Sequence, residues 1–407
     1  MLRNILIVAP FVSLPGEHSF NRFLYLAYMW AKEFRVTLVT SRFCHSLKCH
    51  RDRAAELYRN LPFELVLLDE PGYRKNVSFA RIASHRRFAV ALKEWLTGQI
   101  GERHFDIAYS AYPLIDSNLV LADFKRLLGF ILVIDVQDVW PEAISAAFPI
   151  LGRYNALLWP ITRKADRAYA AADALVSVSE TYLARARRKC PEKPGMVAYL
   201  GADRKMVDSI PAATLRSGTF RLVYLGTVSH SYDVTTVVKG MNILRKRYPQ
   251  IELHILGDGP HRQNIQSLAR EGVIFHGFVS YDQMVAIAKS CDLAINPIVK
   301  SAAASVTNKI SDYFLLGLPI LSSQSNPEVV RLIQQAGGAH YEAENVKSFC
   351  DAIERFIQVA DKDKILERTR KLGVELFDRS VSYPKITAFL QSIANDMPDA
   401  HEYETPL

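Results

Sequence analysis

The chain has 407 residues, 49% of them hydrophobic and 23% charged, and its formal net charge is +8. This length accommodates two domains with separate cores, and the composition is that of a globular protein. The apolar runs at 5–12 and 127–134 are far shorter than the roughly 20 residues of a membrane helix, so we expect neither a signal peptide nor a membrane span. The five cysteines have no paired spacing, which argues against a disulfide framework. Segment 44–50 contains both cysteines and histidines, and is either a metal cluster or, more simply, a variable loop after a strand.

The first half alternates short apolar runs with amphipathic segments. The runs with the length of buried strands are 4–10, 35–41, 63–69, 105–111, 131–137 and 174–180. Nearly continuous apolar strands separated by helices indicate a parallel sheet that is covered on both faces. The second half repeats this pattern in the runs 220–226, 251–257, 272–278, 292–298 and 318–324. The sequence therefore predicts two doubly wound α/β domains in series.

We place these domains at 1–204 and 205–380, with a polar, irregular linker over 201–219. A C-terminal helix at about 381–400 is a candidate to pack back on the first domain. Ligands of such sheets bind outside the carboxyl ends of the strands, so the residues that follow each strand deserve comparison.

The strand at 131–137 ends in polar residues, in the segment ILVIDVQDVWPE. Acids, an amide and a proline after a run of β-branched residues bring polar chemistry to the edge of the sheet. Glu142 follows Pro141 and is alternatively an acid in the first turn of a helix.

Glycines end two strands of the second half. Gly226 and Thr227 follow one strand, and Gly257 and Gly259 flank an aspartate after the next. Glycine at such a position lets the backbone approach a phosphate near helix N–H groups, although an ordinary turn explains it equally well. Phe278 follows a third strand, where exposed backbone can pair with a base edge.

The segment SAAASVTNKISDYFLLGLPILSS, residues 301–323, contains a helix start. Thr307 or Asn308 is the predicted N-cap, and Lys309 lies in the first turn. A lysine there opposes the helix dipole unless an anion is bound, so Lys309 is a candidate phosphate ligand, the alternative being a solvated surface lysine. Asp312, one turn on, can accept hydrogen bonds from sugar hydroxyls.

Over most of its length the chain resembles glycosyltransferase family 4, especially bacterial capsule, O-antigen and exopolysaccharide enzymes. The resemblance rests on the ordered series DVQDVWPEA, AADALVSVSE, YLGAD, YLGTVSHSYD, LGDGP, FHGFVSYDQM and TNKISDYFLLGLPIL. It implies the GT-B fold, in which two Rossmann-like domains face each other, the second binding a nucleotide-sugar and the first an acceptor.

The resemblance also implies roles for individual residues. The donor-binding set is Gly16, Gly226, Thr227, Gly257, Gly259, Arg262, Phe278, Val279, Asn308, Lys309 and Asp312. The acceptor-binding set is His18, Asn21, Arg22, Gln137 and Glu142. Asp138 and Lys309 are the catalytic candidates: Asp138 to accept a proton from the acceptor or to orient the donor sugar, and Lys309 to stabilise the leaving diphosphate.

The chain departs from the family pattern at three places. Of two glutamates that the family often carries eight positions apart, the first is Ala304 here and the second is Asp312. An Arg and a Lys usually follow the glycine after the first strand of the second domain, whereas the loop here reads Thr227, Ser229 and His230. A histidine is common where Gln137 stands. Because the loop after the first strand of the second domain lacks the usual Arg and Lys, Lys309, with Arg262, must supply most of the positive charge for a diphosphate.

The positive charge is confined to the first half. Residues 1–204 contain 28 Lys and Arg against 20 Asp and Glu, whereas residues 205–407 contain 22 against 22. Bases interleaved with aromatic residues over 73–88 suit a lipid headgroup interface. We expect an anionic membrane surface to be contacted by Arg81, Arg86 and Arg87, the alternative being a solvated basic face. No nucleic-acid-binding module is recognisable, so we expect no nucleic acid partner.

The sequence thus predicts a glycosyltransferase of the hexosyltransferase class that needs no cofactor and no metal. It would transfer a sugar from a nucleoside-diphosphate sugar to a polyprenyl-diphosphate-linked or other glycan acceptor in surface polysaccharide biosynthesis. We expect a cytoplasmic protein, peripheral at the inner face of the plasma membrane, and family membership implies retention of anomeric configuration. The alternatives are a nucleotide-sugar epimerase of the same architecture and an inactive partner subunit. A nicotinamide dehydrogenase is disfavoured, because no G-x-G-x-x-G follows the first strand.

Overall fold

The computed structural model describes most of the chain and divides it into two compact units. The residues described are 2–17, 22–76, 78–142, 155–300, 302, 305–359 and 361–396. Unit 1 comprises Met1–Ala198 with Tyr383–Leu407, and unit 2 comprises Tyr199–Ser382. His18, Asn21 and Ala304 lie outside the described residues, as do 397–400 of the predicted C-terminal helix.

Unit 1 is built on a parallel sheet of seven strands in the order β5-β2-β1-β6-β7-β8-β9. Its strands are β1 (Asn4–Val8), β2 (Arg35–Ser41), β5 (Glu64–Leu68), β6 (Ile107–Tyr112), β7 (Ile131–Val136), β8 (Ala174–Ser177) and β9 (Gly195–Val197). A short antiparallel hairpin, β3 (Phe43–Cys44) with β4 (Cys49–His50), follows β2. In this hairpin Cys44 is buried and Cys49 is exposed.

Both faces of this sheet are buried, which explains the continuous apolar runs of its strands. Leu6 and Val8 of β1 belong to one hydrophobic cluster, and the alternating Ile5 and Ile7 belong to the other. The helices of unit 1 are α1 (Arg22–Trp30), α2 (Phe79–Thr97), α3 (Ile115–Leu128), α4 (Asn155–Ala171), α5 (Glu180–Arg187) and, from the C-terminal segment, α15 (Pro384–Asp396). Helix α15 contributes Ile386 and Leu390 to the second cluster.

Unit 2 is built on a parallel sheet of six strands in the order β12-β11-β10-β13-β14-β15. Its strands are β10 (Phe220–Leu225), β11 (Ile251–Leu256), β12 (Val273–Gly277), β13 (Leu293–Asn296), β14 (Ile320–Ser322) and β15 (Ala339–His340). Its α-helices are α6 (Arg204–Ser209), α7 (Val234–Arg247), α8 (Arg262–Leu268), α9 (Tyr281–Ala288), α10 (Asn308–Leu316), α11 (Pro327–Gln335), α12 (Val346–Ile357), α13 (Lys362–Leu372) and α14 (Arg379–Ser382). The prediction of two doubly wound α/β domains is confirmed.

The strand orders locate the point in each sheet where the direction of winding reverses. In unit 1 this point lies between β1 and β6, and in unit 2 it lies between β10 and β13. Ligands of open α/β sheets bind at the carboxyl ends of the strands near this point. Within the described residues, no helix is both long and apolar enough to cross a membrane.

Candidate functional site

The N-terminus of α10 lies beside the reversal point of the unit 2 sheet, because α10 is the helix that follows β13. Thr307 is its N-cap but makes no side-chain capping hydrogen bond. The helix ends at Gly317, whose φ of 70° is the left-handed conformation that glycine adopts readily. The first turn of α10 therefore presents N–H groups that its own cap side chain leaves unbonded.

Lys309 is the charged residue of this first turn, and it points into the unit rather than into solvent. Its side chain is 9% exposed, and its Nζ lies 3.0 Å from the hydroxyl of Tyr224. The same Nζ lies 3.1 Å from the centroid of the Tyr232 ring and 4.5 Å from that of Tyr224. The ammonium group is thus held by two aromatic rings and one phenol oxygen.

No carboxylate of the described residues forms an ion pair with Lys309. Burial lowers the pKa of Lys309 well below its ordinary value, because the charged form loses its hydration. Close by in sequence, the hydroxyls of Ser305 and Thr307 are buried and find no hydrogen-bond partner among the described residues. A buried cation that no described carboxylate neutralises, on a segment with unbonded hydroxyl donors, is an arrangement that an anionic ligand would stabilise.

The glycines predicted at the strand ends pack loop against loop around this position. Gly226 has a φ of 113°, and a Cβ placed on it would lie 3.0 Å from Cε of Lys309. A Cβ on Gly257 would lie 2.0 Å from the carbonyl oxygen of Gly226, and one on Gly259 would lie 2.3 Å from that of Val228. These contacts bring the loops after β10 and β11 together, with the side chain of Lys309 against the first of them.

Asp312 lies one turn further along α10, in a different environment. It is half-buried and hydrogen-bonded to Tyr281, and the positive charge of Arg379 stabilises its ionised form. Burial raises its pKa to about 7, against the opposing effects of Arg379 and Tyr281. Near neutral pH this carboxyl group is therefore protonated in a large fraction of molecules.

This pKa predicts a pH-dependent effect of Asp312→Asn. Because the folded protein holds a proton that the unfolded chain releases above about pH 4, Asp312 lowers the stability of the fold as pH rises from about 4 to 7. We expect the difference in Tm, variant Asp312→Asn minus wild type, to be more positive at pH 8 than at pH 5. Thermal unfolding at both pH values tests this, and a Tm difference that does not change with pH would contradict it.

The remaining donor-binding candidates lie around these loops. Arg262 donates from Nη1 to Oδ2 of Asp258 at 2.9 Å. A Cβ on Gly277 would lie 3.1 Å from the same guanidinium. The side chain of Phe278 is 89% exposed. Thr227 and Asn308 are exposed, and Val279 is half-buried.

In unit 1 the polar residues after β7 lie at the carboxyl end of the strand, as expected. Asp138 is half-buried; its Oδ1 accepts from the amide of Val139 at 2.8 Å and its Oδ2 from Nε1 of Trp140 at 3.1 Å. Burial raises the pKa of Asp138, and these hydrogen bonds oppose the shift. Nε2 of Gln137 is buried and has no hydrogen-bond partner within the described ranges. Glu142 is paired with Arg185, which also binds Asp166.

Arg22 is in the interior, which corrects the expectation that it contacts an acceptor. Its side chain donates from Nε to Asp135 at 2.6 Å and from Nη1 to the carbonyl of Ala198 at 2.6 Å. The guanidinium also packs over the Tyr383 ring at 5.0 Å. Asp135 is fully buried in the middle of the sheet, so its carboxylate requires this partner. Arg22 is therefore a structural residue.

The loop that contains Gly16 is fixed by a second buried pair. Gly16 has a φ of 87°, and the adjacent Glu17 binds Arg51 at 2.6 Å. Arg51 in turn donates to the carbonyl of Ser41, at the end of β2. This anchor could not be predicted from the sequence, because its partners come from different strand ends.

The three arginines expected at a membrane differ in their surroundings. Arg86 is exposed, and Arg87 is exposed and paired with Glu94 at 3.1 Å. Arg81 instead lies half-buried among aromatic rings, with Cζ 5.7 Å from the ring centroid of Trp140. Of the three arginines, Arg81 is therefore the least exposed, and its assignment to a membrane-facing surface stays a prediction.

Two aromatic residues that hold Lys309 were not predicted from the sequence. Tyr224 is the fifth residue of β10 and appears in the sequence as an ordinary strand residue. Tyr232 belongs to the segment VSHSYD, which is noticeable in the sequence for the basic residues that it lacks. Among the described residues, no group of three or more His, Cys, Asp and Glu side chains is arranged to hold a metal ion.

Comparison with known proteins identifies the second half of the chain. Residues 219–359 match the family model described as Glycosyl transferases group 1. The chain carries a glycosyltransferase domain. This group 1 domain includes Gly226, Lys309 and both tyrosines that hold Lys309, and the prediction of a glycosyltransferase is confirmed.

Solved structures resemble the whole chain at low sequence identity. Sucrose-phosphate synthase from Thermosynechococcus elongatus has a TM-score of 0.69 at 13% identity, covering 97% of this chain and 100% of its own. Anabaena Alr3699/HepE, in complex with UDP, has a TM-score of 0.66 at 14% identity, covering 96% of this chain and 100% of its own. A Listeria monocytogenes protein assigned as a UDP-N-acetylglucosamine 2-epimerase has a TM-score of 0.62 at 9% identity, covering 98% of each chain. At these identities the likeness establishes the fold, and the predicted GT-B fold is confirmed. No curated protein matches the sequence.

Proposed function

We propose that the protein transfers a hexose from a nucleoside-diphosphate sugar to a glycan acceptor. The observation that carries this proposal is Lys309, a buried cation without a carboxylate partner among the described residues, beside the start of α10 and the Gly226 loop. This position is at the carboxyl ends of β10 and β13, where α/β sheets bind their ligands. The UDP named with the HepE structure supports a nucleoside diphosphate as the ligand.

The chemistry follows from the charges at this position. When the bond between the sugar and the diphosphate breaks, negative charge grows on the phosphate oxygens. A preorganised ammonium group and unbonded helix N–H groups stabilise that charge, and they cost no reorganisation at the moment of reaction. Positive groups of the protein thus do what a metal ion does in other transferases, and we propose a metal-independent reaction with retention of configuration.

We assign the acceptor to unit 1, with Asp138 as the group that receives the proton of the attacking hydroxyl or orients the sugar. Its raised pKa brings this carboxylate closer to the range useful for a base at neutral pH. The resemblance to capsule and O-antigen enzymes supports a polyprenyl-diphosphate-linked acceptor in surface polysaccharide biosynthesis, at the cytoplasmic face of the plasma membrane.

A thermal-shift screen of nucleoside-diphosphate sugars on the full chain tests the donor assignment. We expect one nucleotide to raise Tm strongly, and its sugar to be transferred only when an acceptor is added. Conversion of the sugar without an acceptor would instead identify the epimerase alternative. Binding without either reaction over a broad acceptor set would favour an inactive partner subunit.

The role of Asp138 predicts a selective effect on turnover. We expect Asp138→Asn to lower kcat by roughly 100-fold or more, with little change in nucleotide affinity, because the amide cannot accept the proton. Steady-state kinetics and nucleotide titration on the same preparation measure both quantities. A lower Tm with undiminished activity per folded molecule would show that Asp138 only holds its turn, through Val139 and Trp140.

A membrane surface as partner predicts salt-sensitive binding to lipid. Helix α2 exposes Phe79 (91%) and Ile82 (50%) together with Arg86 and Arg87, a combination that suits an interface with anionic headgroups. We expect sedimentation with liposomes to increase with anionic lipid content and to decrease with salt. Changing Arg86 and Arg87 to Ser together should weaken it, and binding insensitive to both salt and this change would contradict a role for α2.

A further inference from the structure

Unit 1 contains a group of basic side chains that the proposed reaction has not used. Around the buried ring of Tyr73 lie Lys48, with Nζ 4.6 Å from the ring centroid, and Arg81, with Cζ 5.7 Å from it. The rings of His45 and His85 lie 5.6 and 5.8 Å from that of Tyr73. We call these five residues the basic cluster.

The basic cluster is assembled from segments that follow parallel strands. His45 and Lys48 belong to the β3–β4 hairpin after β2, Tyr73 follows β5, and Arg81 and His85 lie in the first turns of α2. Two further aromatic rings complete its surroundings. They are Phe11, after β1, and Trp140, after β7. The cluster therefore occupies the ligand-binding edge of the sheet.

Its positive charges are not neutralised by ion pairs. Within the described residues, Lys48 donates to Oδ1 of Asn76 at 2.6 Å and Arg81 to the carbonyl of the same residue at 2.8 Å, both neutral oxygens. Neither base forms an ion pair with a described carboxylate. Nε of Arg81 and Nε2 of His85 are buried and have no hydrogen-bond partner in the part of the chain that the structure describes. Polar atoms left in this way cost folding free energy, which a bound acceptor of hydrogen bonds would recover.

Two carboxyl groups act electrostatically on members of the cluster, and both accept hydrogen bonds from other residues. Glu70 accepts a hydrogen bond from the hydroxyl of Ser84. Asp138 accepts from Val139 and from the Trp140 indole that packs under Arg81. Arg81 opposes the rise in the pKa of Asp138, but it forms no ion pair with this proposed catalytic carboxylate.

The lowered pKa values of the two histidines are consistent with the positive charge of the cluster. The pKa of His45 is lowered to about 4 by burial and then by Lys48 and Arg81. That of His85 is lowered to about 3 by burial, and then by Arg81 and His45. Lys48 also has a φ of 56°, a left-handed conformation that costs energy in a lysine, so its position is fixed by its surroundings.

We propose that the basic cluster binds a phosphoryl group, and that this group belongs to the acceptor. The ammonium of Lys48 and the guanidinium of Arg81 match phosphate oxygens in charge and geometry. The rings of Phe11, Tyr73 and Trp140 lie 5.7–6.0 Å from Cζ of Arg81 and shield this guanidinium in part from water, which strengthens its contacts. That the ligand is the acceptor rests on the proposed function, whereas the phosphoryl site itself does not.

Calorimetric titration of inorganic pyrophosphate into the full chain, saturated with UDP, tests this site separately from unit 2. We expect pyrophosphate to bind, and Lys48→Gln and Arg81→Gln each to weaken it roughly 10- to 100-fold. Arg86→Gln, the same change at an exposed position of α2, should leave the affinity unchanged. None of the three variants should alter UDP affinity. If Arg81→Gln does not fold, Lys48→Gln and Arg81→Lys are used instead. Arg81→Lys should lower the affinity for pyrophosphate less than Lys48→Gln does.

Two further ligands identify the source of the phosphoryl group. A short-chain prenyl diphosphate that binds more tightly than pyrophosphate would assign a lipid-linked acceptor, and equal affinity would assign a soluble phosphorylated one. The proposal would be overturned if pyrophosphate did not bind in the presence of UDP, or if both cluster variants bound it as tightly as the wild type. Tighter binding of glucuronate than of pyrophosphate would also overturn it. If the wild-type protein does not bind UDP, but Lys48→Gln still lowers its affinity for pyrophosphate, the donor assignment would be wrong and the phosphoryl site in unit 1 would be supported.

Discussion

Replacing Lys309 by Met is expected to weaken nucleotide binding strongly and to stabilise the fold at the same time. The ammonium group loses its hydration in the folded state and has no described counter-ion, so an apolar side chain of similar length fits the rings of Tyr224 and Tyr232 at lower cost. We expect the free energy of unfolding to rise by roughly 1 kcal/mol or more. The lost charge-assisted contact to the diphosphate, about 2–3 kcal/mol, corresponds to roughly 30- to 150-fold weaker nucleotide binding.

Denaturant unfolding and nucleotide titration on one preparation measure both effects. Lys239→Met is the matched control, because Lys239 is exposed on α7 of the same unit and should change neither quantity. A Lys309→Met protein that binds nucleotide as tightly as wild type would remove Lys309 from the donor site. One that binds weakly and is also less stable would mean that the lysine holds the loops rather than the ligand.

The second large effect is expected at the buried pair of Arg22 and Asp135. Arg22→Met leaves the Asp135 carboxylate in the centre of the sheet with only the Tyr109 hydroxyl at 2.6 Å as its described hydrogen-bond donor, and should destabilise unit 1 by about 3–5 kcal/mol. The double change Arg22→Met with Asp135→Leu removes both charges and should recover much of this loss. Such a recovery is the signature of a pair kept together because neither charge can remain alone.

Tryptophan fluorescence reads this unfolding selectively. All four tryptophans of the chain, at 30, 95, 140 and 159, belong to unit 1. Arg35→Met, at an exposed position of β2, is the control. If the single variant Arg22→Met were as stable as this control, the pair would not have the structural role assigned to it.

The sheets could be predicted because parallel strands buried on both faces give uninterrupted apolar runs, and each such run of the sequence is a strand. The strands β9 and β15 were missed because three and two residues are too few to give a pattern. The end of α10 at Gly317 was predictable, since a glycine after a helical segment is a local signal, and Gly317 adopts the left-handed conformation there.

Contacts between distant segments could not be predicted in the same way. Arg22 follows a glycine loop in sequence, and only the fold shows that Asp135, 113 positions away, requires it. The one local signal was a charged residue inside the run ILVIDV, which implies a buried partner but does not say which. The basic cluster likewise draws on several strand ends, so its members appear in the sequence as unrelated loop and helix residues.

The close approach of the glycine loops in unit 2 affects how substitution data on this protein should be interpreted. At Gly257 and Gly259 any side chain would collide with backbone atoms of the loop after β10, at 2.0 and 2.3 Å. A scan selected for activity will therefore rank both positions as intolerant, whether or not a ligand touches them. Tolerance at Thr227 and Asn308 is more informative, because their exposed side chains can be shortened without moving the backbone. Substrate contacts should be mapped from those two positions, and the glycines understood as the reason that the loops keep their shape.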